Sequence, residues 1–183
     1  MTHLVVPEVY PCAFCDYLSG GLAPFTVLYR NSLAAVLVPR EQRGISHLLV
    51  VTTRHASTLL DLRDAESHAV IDLLRTAAAA IDSVDRRPGI SVWQNNGVDA
   101  HQAIPHFHFH VAGTLDGGGT EWQAVPELTI AETNSIAERL RSHFRSPLVG
   151  GARLGGECGK RSGGASARVP CGTWIPGRYL QEM

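Results

Sequence analysis

Residues 106–112 read His-Phe-His-Phe-His-Val-Ala and directly follow Pro105. Imidazole groups alternate here with large apolar groups, and this period of two is typical of a half-buried β-strand, in which successive side chains point to opposite faces. His106, His108 and His110 are therefore expected in one exposed row, with the residues between them packed into the core. A single histidine on a strand is usually structural, but three on one face indicate chemistry or metal binding.

The overall composition is that of a soluble, enzyme-like domain. The 183 residues carry 16 Lys+Arg and 17 Asp+Glu, and the formal net charge of −1 gives no global field that would attract nucleic acid or an anionic membrane. No apolar run is long enough to span a bilayer, and the first residues, which Pro7 and Pro11 interrupt, do not resemble a secretory signal. We therefore expect a cytoplasmic protein with reduced thiols and with neither a membrane nor a nucleic acid as partner.

Periodicity predicts the remaining helices and strands. Strands are expected at residues 25–30, 33–38, 46–52 and 90–94. A long helix is predicted over residues 64–82, with Asp64 as its N-terminal cap, because apolar side chains recur there at helical spacing. A second helix is predicted over residues 130–144, since Thr129 and Glu132 have the spacing of a capping box.

The end of the chain differs in composition from the rest. From about residue 146 it is rich in Gly, Ser and Arg and shows little periodicity. We therefore expect one domain over residues 1–145 and a flexible, basic tail over residues 146–183. Cys158 and Cys171 lie in this tail without ligand-like spacing and are interpreted as ordinary thiols.

Cys12 and Cys15 form a Cys-x-x-Cys pair near the start of the chain. Two thiolates on a tight turn suit one half of a tetrahedral zinc site, which needs two further ligands. The alternative is a thioredoxin-like redox pair, but that motif follows a strand and opens a helix in a βαβ unit, and no such context is apparent here. The spacing of the two cysteines does not by itself decide between a zinc site and a redox pair.

The histidine row has a chemical interpretation of its own. Neighbouring positive charges lower one another's pKa, so the three imidazoles are not all protonated at neutral pH. A neutral His108 could attack a phosphoryl centre and form a covalent intermediate, while the flanking histidines and amides donate hydrogen bonds to the phosphoryl oxygens. One metal ion bound by all three histidines is a weaker alternative, because the row extends over roughly 13 Å.

Three motifs together resemble the signature of the histidine triad (HIT) superfamily of nucleotidyl hydrolases and transferases. In chain order they are Cys12-x-x-Cys15, Ser46-His47-Leu48-Leu49-Val50-Val51-x-x-x-His55 and Asn95-x-Gly97-x-x-x-x-Gln102-x-Ile104-x-His106-x-His108-x-His110-Val111. The resemblance implies an α+β fold of the HIT type. Such a fold has a mainly antiparallel sheet of about five strands, one long helix, here followed by a shorter C-terminal helix, and usually a homodimeric assembly.

The resemblance also implies residue roles. His108 corresponds to the nucleophile, which attacks the α-phosphate of a nucleotide derivative to give a nucleotidyl-histidine, and His110 and His47 correspond to flanking groups of the phosphate pocket. Gln102 and Asn95 correspond to amides that orient the phosphate and the triad. The expected catalytic residues are thus His108, His110, His47 and Gln102, and the expected substrate-binding residues are Asn95, Gln102, His110 and Glu41.

In the zinc-bearing members of the superfamily, the Cys pair, the histidine after the upstream strand and the first triad histidine hold a structural metal. The corresponding residues here are Cys12, Cys15, His55 and His106. This is a closed Cys₂His₂ set, as a structural zinc requires. Taken singly, His55 is an unremarkable loop histidine, so its assignment depends on the resemblance.

Two positions depart from the family pattern. Ala103 stands directly after Gln102, where phosphoramidase-type and dinucleoside polyphosphate-type members carry a Ser or Thr that assists the leaving group. Pro39 stands where many members place an Asp that binds the ribose hydroxyls, and Glu41 is the nearby candidate to replace it. These departures predict a substrate that differs from the usual one.

The expected function is hydrolysis of a nucleoside monophosphate derivative, such as a phosphoramidate, an adenylylated compound or a dinucleotide. One alternative is a nucleotidyltransferase or phosphorylase that passes the group to phosphate or to a specialised small molecule. A second is a non-catalytic, nucleotide-binding HIT module. The intact triad favours an enzyme over the module.

Overall fold

The computed structural model describes residues 3–21 and 25–144. Its α-helices and strands follow in the order α1 Ala13–Leu18, β1 Thr26–Arg30, β2 Ala34–Val38, β3 Ile45–Thr52, α2 Asp64–Asp85, β4 Ile90–Trp93, β5 His108–Gly113 and α3 Ile130–Leu140. Short 3₁₀ helices lie at Leu59–Asp61, Val98–Ala100 and Arg141–Phe144. The tail predicted over residues 146–183, with Cys158 and Cys171, lies outside the described residues.

The strands form one five-stranded sheet in the order β1-β2-β3-β5-β4, and every neighbouring pair is antiparallel. This arrangement, with the long α2 and the shorter α3, confirms the predicted α+β fold class. Within residues 3–21 and 25–144, no helix is both long and apolar enough to cross a membrane.

Both faces of the central strands are buried, which explains why β2 is apolar throughout and β3 is apolar from Leu48 to Val51. On one face, Val36 and Val50 belong to a core shared with α2 and α3. On the other face, Leu37 and Leu49 pack with Phe14 of α1. The second face is also the one that carries the candidate site, because His108 and His110 alternate along β5 with core residues of the first face.

The long helix α2 extends to Asp85, three residues further than predicted, and its N-terminal cap is Arg63 instead of Asp64. The reason lies in Glu66, whose carboxylate accepts a hydrogen bond of 2.9 Å from the backbone N–H of Arg63. At α3, Thr129 and Glu132 form the predicted capping box, but the α-helix ends at Leu140 and continues only as a 3₁₀ turn.

Two local predictions about the motifs are wrong. Strand β5 begins at His108, so His106 precedes the strand, and both residues are buried instead of lying in an exposed row. The backbone N–H of His106 bonds to Ile104, and that of Phe107 bonds to Ala56, which takes this part of the chain out of the sheet ladder. The Cys pair lies at the start of helix α1, with Cys12 as N-cap, and not on the isolated tight turn that was expected.

Candidate functional site

Four potential metal ligands converge where the start of α1, the loop after β3 and the residues before β5 meet. The ligand atoms of Cys12, Cys15, His55 and His106 all lie within 4.8 Å of one another. Nδ1 of His106 is 3.4 Å from Sγ of Cys12 and 3.5 Å from Sγ of Cys15, and Nδ1 of His55 is 3.3 Å from Sγ of Cys15. Ligands of a tetrahedral zinc ion, bound at about 2.0–2.3 Å, have comparable separations of about 3.3–3.8 Å. The four residues therefore lie close enough together to bind one metal ion.

The tautomer of His106 suits this role. Its Nε2 lies 2.8 Å from the backbone carbonyl oxygen of Thr52, and a carbonyl only accepts, so Nε2 carries the proton. Nδ1 keeps its lone pair and faces both sulfur atoms. Metal-binding histidines typically donate their second N–H to such a carbonyl, which fixes the ring orientation.

The charge balance of the cluster also suits a cation. Burial, reinforced by the neighbouring Cys12 sulfur, raises the pKa of the Cys15 thiol to about 11. Burial lowers the pKa of His106 to about 4, which keeps the imidazole neutral and available as a ligand. A metal ion would compensate the charge of the thiolates, so its binding would release thiol protons.

An ion pair between the partly exposed Arg54 and the buried Glu66 holds the loop that carries His55. Arg54 donates two hydrogen bonds of 2.7 Å to the carboxylate of Glu66 on α2, and a third of 3.0 Å to the backbone carbonyl of His55. The Arg54 guanidinium lowers the pKa of Glu66 to about 2. The ion pair thus connects the backbone of a candidate ligand to the long helix.

His108 has a single defined tautomer as well. Its Nδ1 lies 2.7 Å from the backbone carbonyl oxygen of His106 and must donate to it. Nε2 therefore carries the lone pair, on a side chain that is 8% exposed and lines a cavity. Burial lowers the pKa of His108, so the ring is neutral and its free nitrogen is a potential nucleophile.

His47 and His110 form a hydrogen-bonded pair beside His108. Nε2 of His47 is 3.0 Å from Nδ1 of His110, and Nδ1 of His47 is 3.0 Å from the backbone carbonyl of Glu41. The backbone N–H of Arg43 makes a longer contact of 3.4 Å with the same Nδ1. The shorter contact makes His47 a donor to Glu41, so His47 accepts at Nε2 the proton of His110 Nδ1.

Burial is the main cause of low basicity in this pair. It lowers the pKa of His47 to about 4, and together with the proximity of His108 and His47 it lowers the pKa of His110 to about 2. Both rings are thus neutral at neutral pH. A bound anion would raise both pKa values, because it stabilises the protonated forms.

The histidines line a cavity of about 720 Å³, a size typical of sites for small molecules. Its wall brings together all of the residues predicted for catalysis and substrate binding, along with other residues. The predicted members are His47, His108, His110, Gln102, Asn95 and Glu41, and the wall also includes Pro39, Ala103 and His101.

The two predicted amides bond to the protein backbone. Gln102 is buried, accepts from the N–H of Gly97 at 2.7 Å, and donates to the carbonyls of Ser57 at 2.7 Å and Ile104 at 3.0 Å. The side-chain nitrogen of Asn95 donates to the carbonyl of Ala100. Gln102 therefore connects the turn after β4 to the segment before the histidine row.

Charged residues of the cavity wall occur as pairs. Glu41 accepts from Arg43 at 2.8 Å, and Arg40 contacts Glu127 at 2.9 Å. The carboxylate that was expected to replace the ribose-binding Asp is thus engaged with an arginine. The positive charges of Arg43 and Arg40 are therefore balanced by the carboxylates of Glu41 and Glu127.

Aromatic side chains surround the histidine pair, and the sequence did not indicate Trp122 or Phe25 as part of the site. Trp93 stacks on His110 with ring centroids 4.7 Å apart and an angle of 3°, and it also stacks on His47. Trp122, Phe25 and the arginines also line the cavity. Trp93 lies two residues before Asn95, the first residue of the histidine-row motif, which was an available signal, but Trp122 lies in a loop without any motif.

Known proteins resemble the chain over up to about three quarters of its length. A family model described as HIT domain matches residues 21–116. An adenosine 5'-monophosphoramidase of Schizosaccharomyces pombe is 26% identical over 137 residues, which are 73% of this chain and 98% of the relative.

Two solved structures have a similar fold. A Hit-like protein involved in cell-cycle regulation from Bartonella henselae has a TM-score of 0.67 at 19% identity, over 74% of this chain and 98% of its own. A Zn-bound histidine triad family protein from Mycobacterium smegmatis has a TM-score of 0.62 at 21% identity, over 73% of this chain and 93% of its own.

Proposed function

Since the chain belongs to the HIT domain family, we propose that it is an enzyme that hydrolyses a nucleoside monophosphate derivative at the α-phosphate, with His108 as nucleophile. One observation carries the proposal. The hydrogen bond from Nδ1 of His108 to the carbonyl of His106 leaves a neutral Nε2 with its lone pair in a cavity of suitable size. The similarity to an adenosine 5'-monophosphoramidase supports a nucleotide as substrate.

The reaction proceeds in two displacements. Nε2 of His108 attacks the α-phosphorus, the bond between phosphorus and leaving group breaks, and the leaving group departs with the electron pair and takes up a proton from solvent. Water then attacks the nucleotidyl-histidine and gives up a proton, the phosphorus–nitrogen bond breaks, and the nucleoside monophosphate leaves. The imidazole of His108 is regenerated.

The neighbouring histidines stabilise the charge that develops on the phosphoryl oxygens. The negative charge of the substrate raises the pKa of His110 and His47, so that the pair takes up a proton as the substrate binds. The protonated pair lies beside His108, because the ring centroids of His110 and His108 are 4.8 Å apart. Donors fixed before the reaction in a buried site are effective because they need no reorganisation.

We further propose that Cys12, Cys15, His55 and His106 hold one structural zinc ion. The convergence of the four ligand atoms and the tautomer of His106 support this assignment. Zinc bound there would cross-link α1, the loop after β3 and the start of the histidine row, and it would take no part in the reaction.

The test of the nucleophile is AMP release from adenosine 5'-phosphoramidate by the full chain. We expect His108→Ala to lower kcat by about 10³-fold or more, because the covalent route is lost. The matched control is His68→Ala, which removes an exposed histidine of α2. Mass spectrometry after an alkaline quench should detect the nucleotidyl group on His108 in the unmodified protein. Retention of AMP release by a folded His108→Ala variant would refute the assignment.

A further inference from the structure

His110 separates two sides of the cavity that differ in chemistry. Strand pairing places Leu37 opposite Leu49, Leu49 opposite His110, and His110 opposite Trp93. Residues directly opposite one another on antiparallel strands project from the same face. An aliphatic row on β2 and β3 thus lies on one side of His110, and a tryptophan on β4 lies on the other.

The side chains that line the cavity extend this division. Phe25 and Ile104 pack against the cluster that contains Leu37 and Leu49, and both line the cavity. On the β4 side, the indole of Trp122 lies 5.6 Å from that of Trp93, at an angle of 55°. The cavity therefore has an apolar side next to β1–β3 and a second side formed by two tryptophans.

Trp122 is held in place although it is 67% exposed. The residues on both sides of it are bound to Arg43. Its guanidinium donates to the backbone carbonyl of Gln123 at 2.9 Å and to that of Glu121 at 3.4 Å, and its carbonyl accepts from the N–H of Glu121 at 2.7 Å. A large apolar side chain that is both exposed and anchored beside a cavity is typical of a ligand-binding surface.

The indoles of Trp93 and Trp122 differ in how much of their surface is accessible to a ligand. Trp93 is half-buried and stacks on both His110 and His47, at centroid distances of 4.7 and 5.3 Å. Its contacts orient the histidine pair. Trp122 contacts Trp93 at a tilt, and most of its own surface remains accessible to a ligand.

Displacement at phosphorus requires two separate binding regions around the phosphate, one for the leaving group and one for the nucleoside. The leaving group departs opposite the attacking nitrogen, whereas the nucleoside extends away from that axis. Ala103 lines the cavity without offering a hydrogen-bonding side chain, so binding energy for the leaving group has to come from other contacts. The tryptophan side of the cavity can supply it by stacking.

We propose that Trp122, supported by Trp93, is a stacking platform for a planar aromatic ring in the leaving group of the substrate. The inference rests on the proposed hydrolase function and defines its substrate class further. The substrate is a nucleoside monophosphate derivative whose leaving group carries an aromatic ring, while the nucleoside occupies the apolar side next to β1–β3.

Two probes that differ in the leaving group test the platform. They are the adenosine 5'-phosphoramidates of benzylamine, which has a planar ring, and of cyclohexylmethylamine, which has a saturated ring of the same number of carbon atoms. The measured quantity is the ratio of their kcat/KM values. The two amines differ in basicity, but this difference is the same for every variant and cancels when ratios are compared.

We expect Trp122→Leu to lower the ratio of benzyl to cyclohexylmethyl substrate by about fivefold, the size of one aromatic contact. Trp122→Phe should keep most of the preference, because it retains a planar ring. Tyr10→Leu is the matched control, since it removes a highly exposed aromatic ring that does not line the cavity, and it should leave the ratio unchanged. Circular dichroism checks the fold of each variant.

Other results would overturn the inference. An unchanged ratio in Trp122→Leu would show that the indole does not contact the leaving group. An equal loss with both substrates would assign Trp122 to the nucleoside or to the fold. Release of no AMP from either substrate, nor from the unsubstituted phosphoramidate, would refute the proposed function and the inference with it.

Discussion

The backbone carbonyl of His106 accepts a hydrogen bond of 2.7 Å from Nδ1 of His108. The side chain of His106 belongs to the candidate metal cluster, whereas its main chain sets the tautomer of the candidate nucleophile. One residue therefore connects the two sites. A metal ion that fixes the imidazole of His106 would also fix the position of this carbonyl, and with it the orientation of His108.

The first prediction concerns the metal. We expect the purified protein to contain about one zinc ion per chain and Cys12→Ser with Cys15→Ser to release it, because serine does not replace a thiolate ligand of zinc. The loss of the cross-link should lower the free energy of unfolding by several kcal/mol. Elemental analysis measures the metal, and thermal unfolding measures the stability.

The matched control for the metal prediction is Cys158→Ser with Cys171→Ser, which removes the same number of thiols outside the proposed cluster. This variant should retain its zinc and its melting temperature. Freshly purified protein without zinc, or a Cys12→Ser, Cys15→Ser variant that keeps a full equivalent, would contradict the assignment.

The second prediction concerns Gln102. Its amide nitrogen donates to the carbonyls of Ser57 and Ile104, so Gln102→Glu places a carboxylate against two oxygen atoms. Leaving these partly buried carbonyls without a donor should cost about 2 kcal/mol of unfolding free energy. Urea denaturation measures the cost, and Gln123→Glu, the same change at an exposed position, is the control.

Activity distinguishes the two roles that Gln102 could have. If the residue mainly positions the loop before the histidine row, kcat and stability should fall together. A Gln102→Glu variant with unchanged stability and a strongly reduced kcat would instead support the direct contact with the phosphate that the sequence motif predicts.

The sequence predicted those features that depend on local pattern. The strict alternation from Phe107 to Val111 and the helical spacing in α2 led to the right sheet and helices, since burial of one face requires these periods. The resemblance to the HIT superfamily also led to the four residues that the structure brings together as potential metal ligands. The predicted homodimer and cytoplasmic location remain predictions.

Features that depend on contacts between distant segments could not be read from the sequence. His106 has the period of the strand but leaves the ladder, because Thr52 and the two cysteines bind its ring. Trp122 is placed by Arg43, 79 positions earlier, through bonds to backbone carbonyls that carry no sequence signal. Only the folded chain shows which exposed aromatic side chain borders the cavity.

The last prediction concerns the pH dependence of stability at His47. Burial lowers its pKa to about 4 in the folded protein, against an ordinary value of 6.5. Between these two values the unfolded chain binds a proton that the folded chain does not, so stability is complete above pH 6.5 and is lost as the pH falls towards 4. The charged and titratable groups around this ring are Arg43, Glu41, His108 and His110.

The contribution of His47 should amount to about 2 kcal/mol between pH 7.5 and pH 5, since one pKa unit corresponds to about 1.4 kcal/mol. His47→Gln removes the titrating group and should reduce the loss of stability over this range by that amount, with His110 accounting for part of what remains. Urea denaturation at pH 7.5, 6 and 5 provides the measurement, with His68→Gln as the exposed control. A His47→Gln variant with the same pH dependence as the unmodified protein would mean that folding does not lower the pKa of His47, and the buried, neutral hydrogen-bonded pair of His47 and His110 would have to be abandoned.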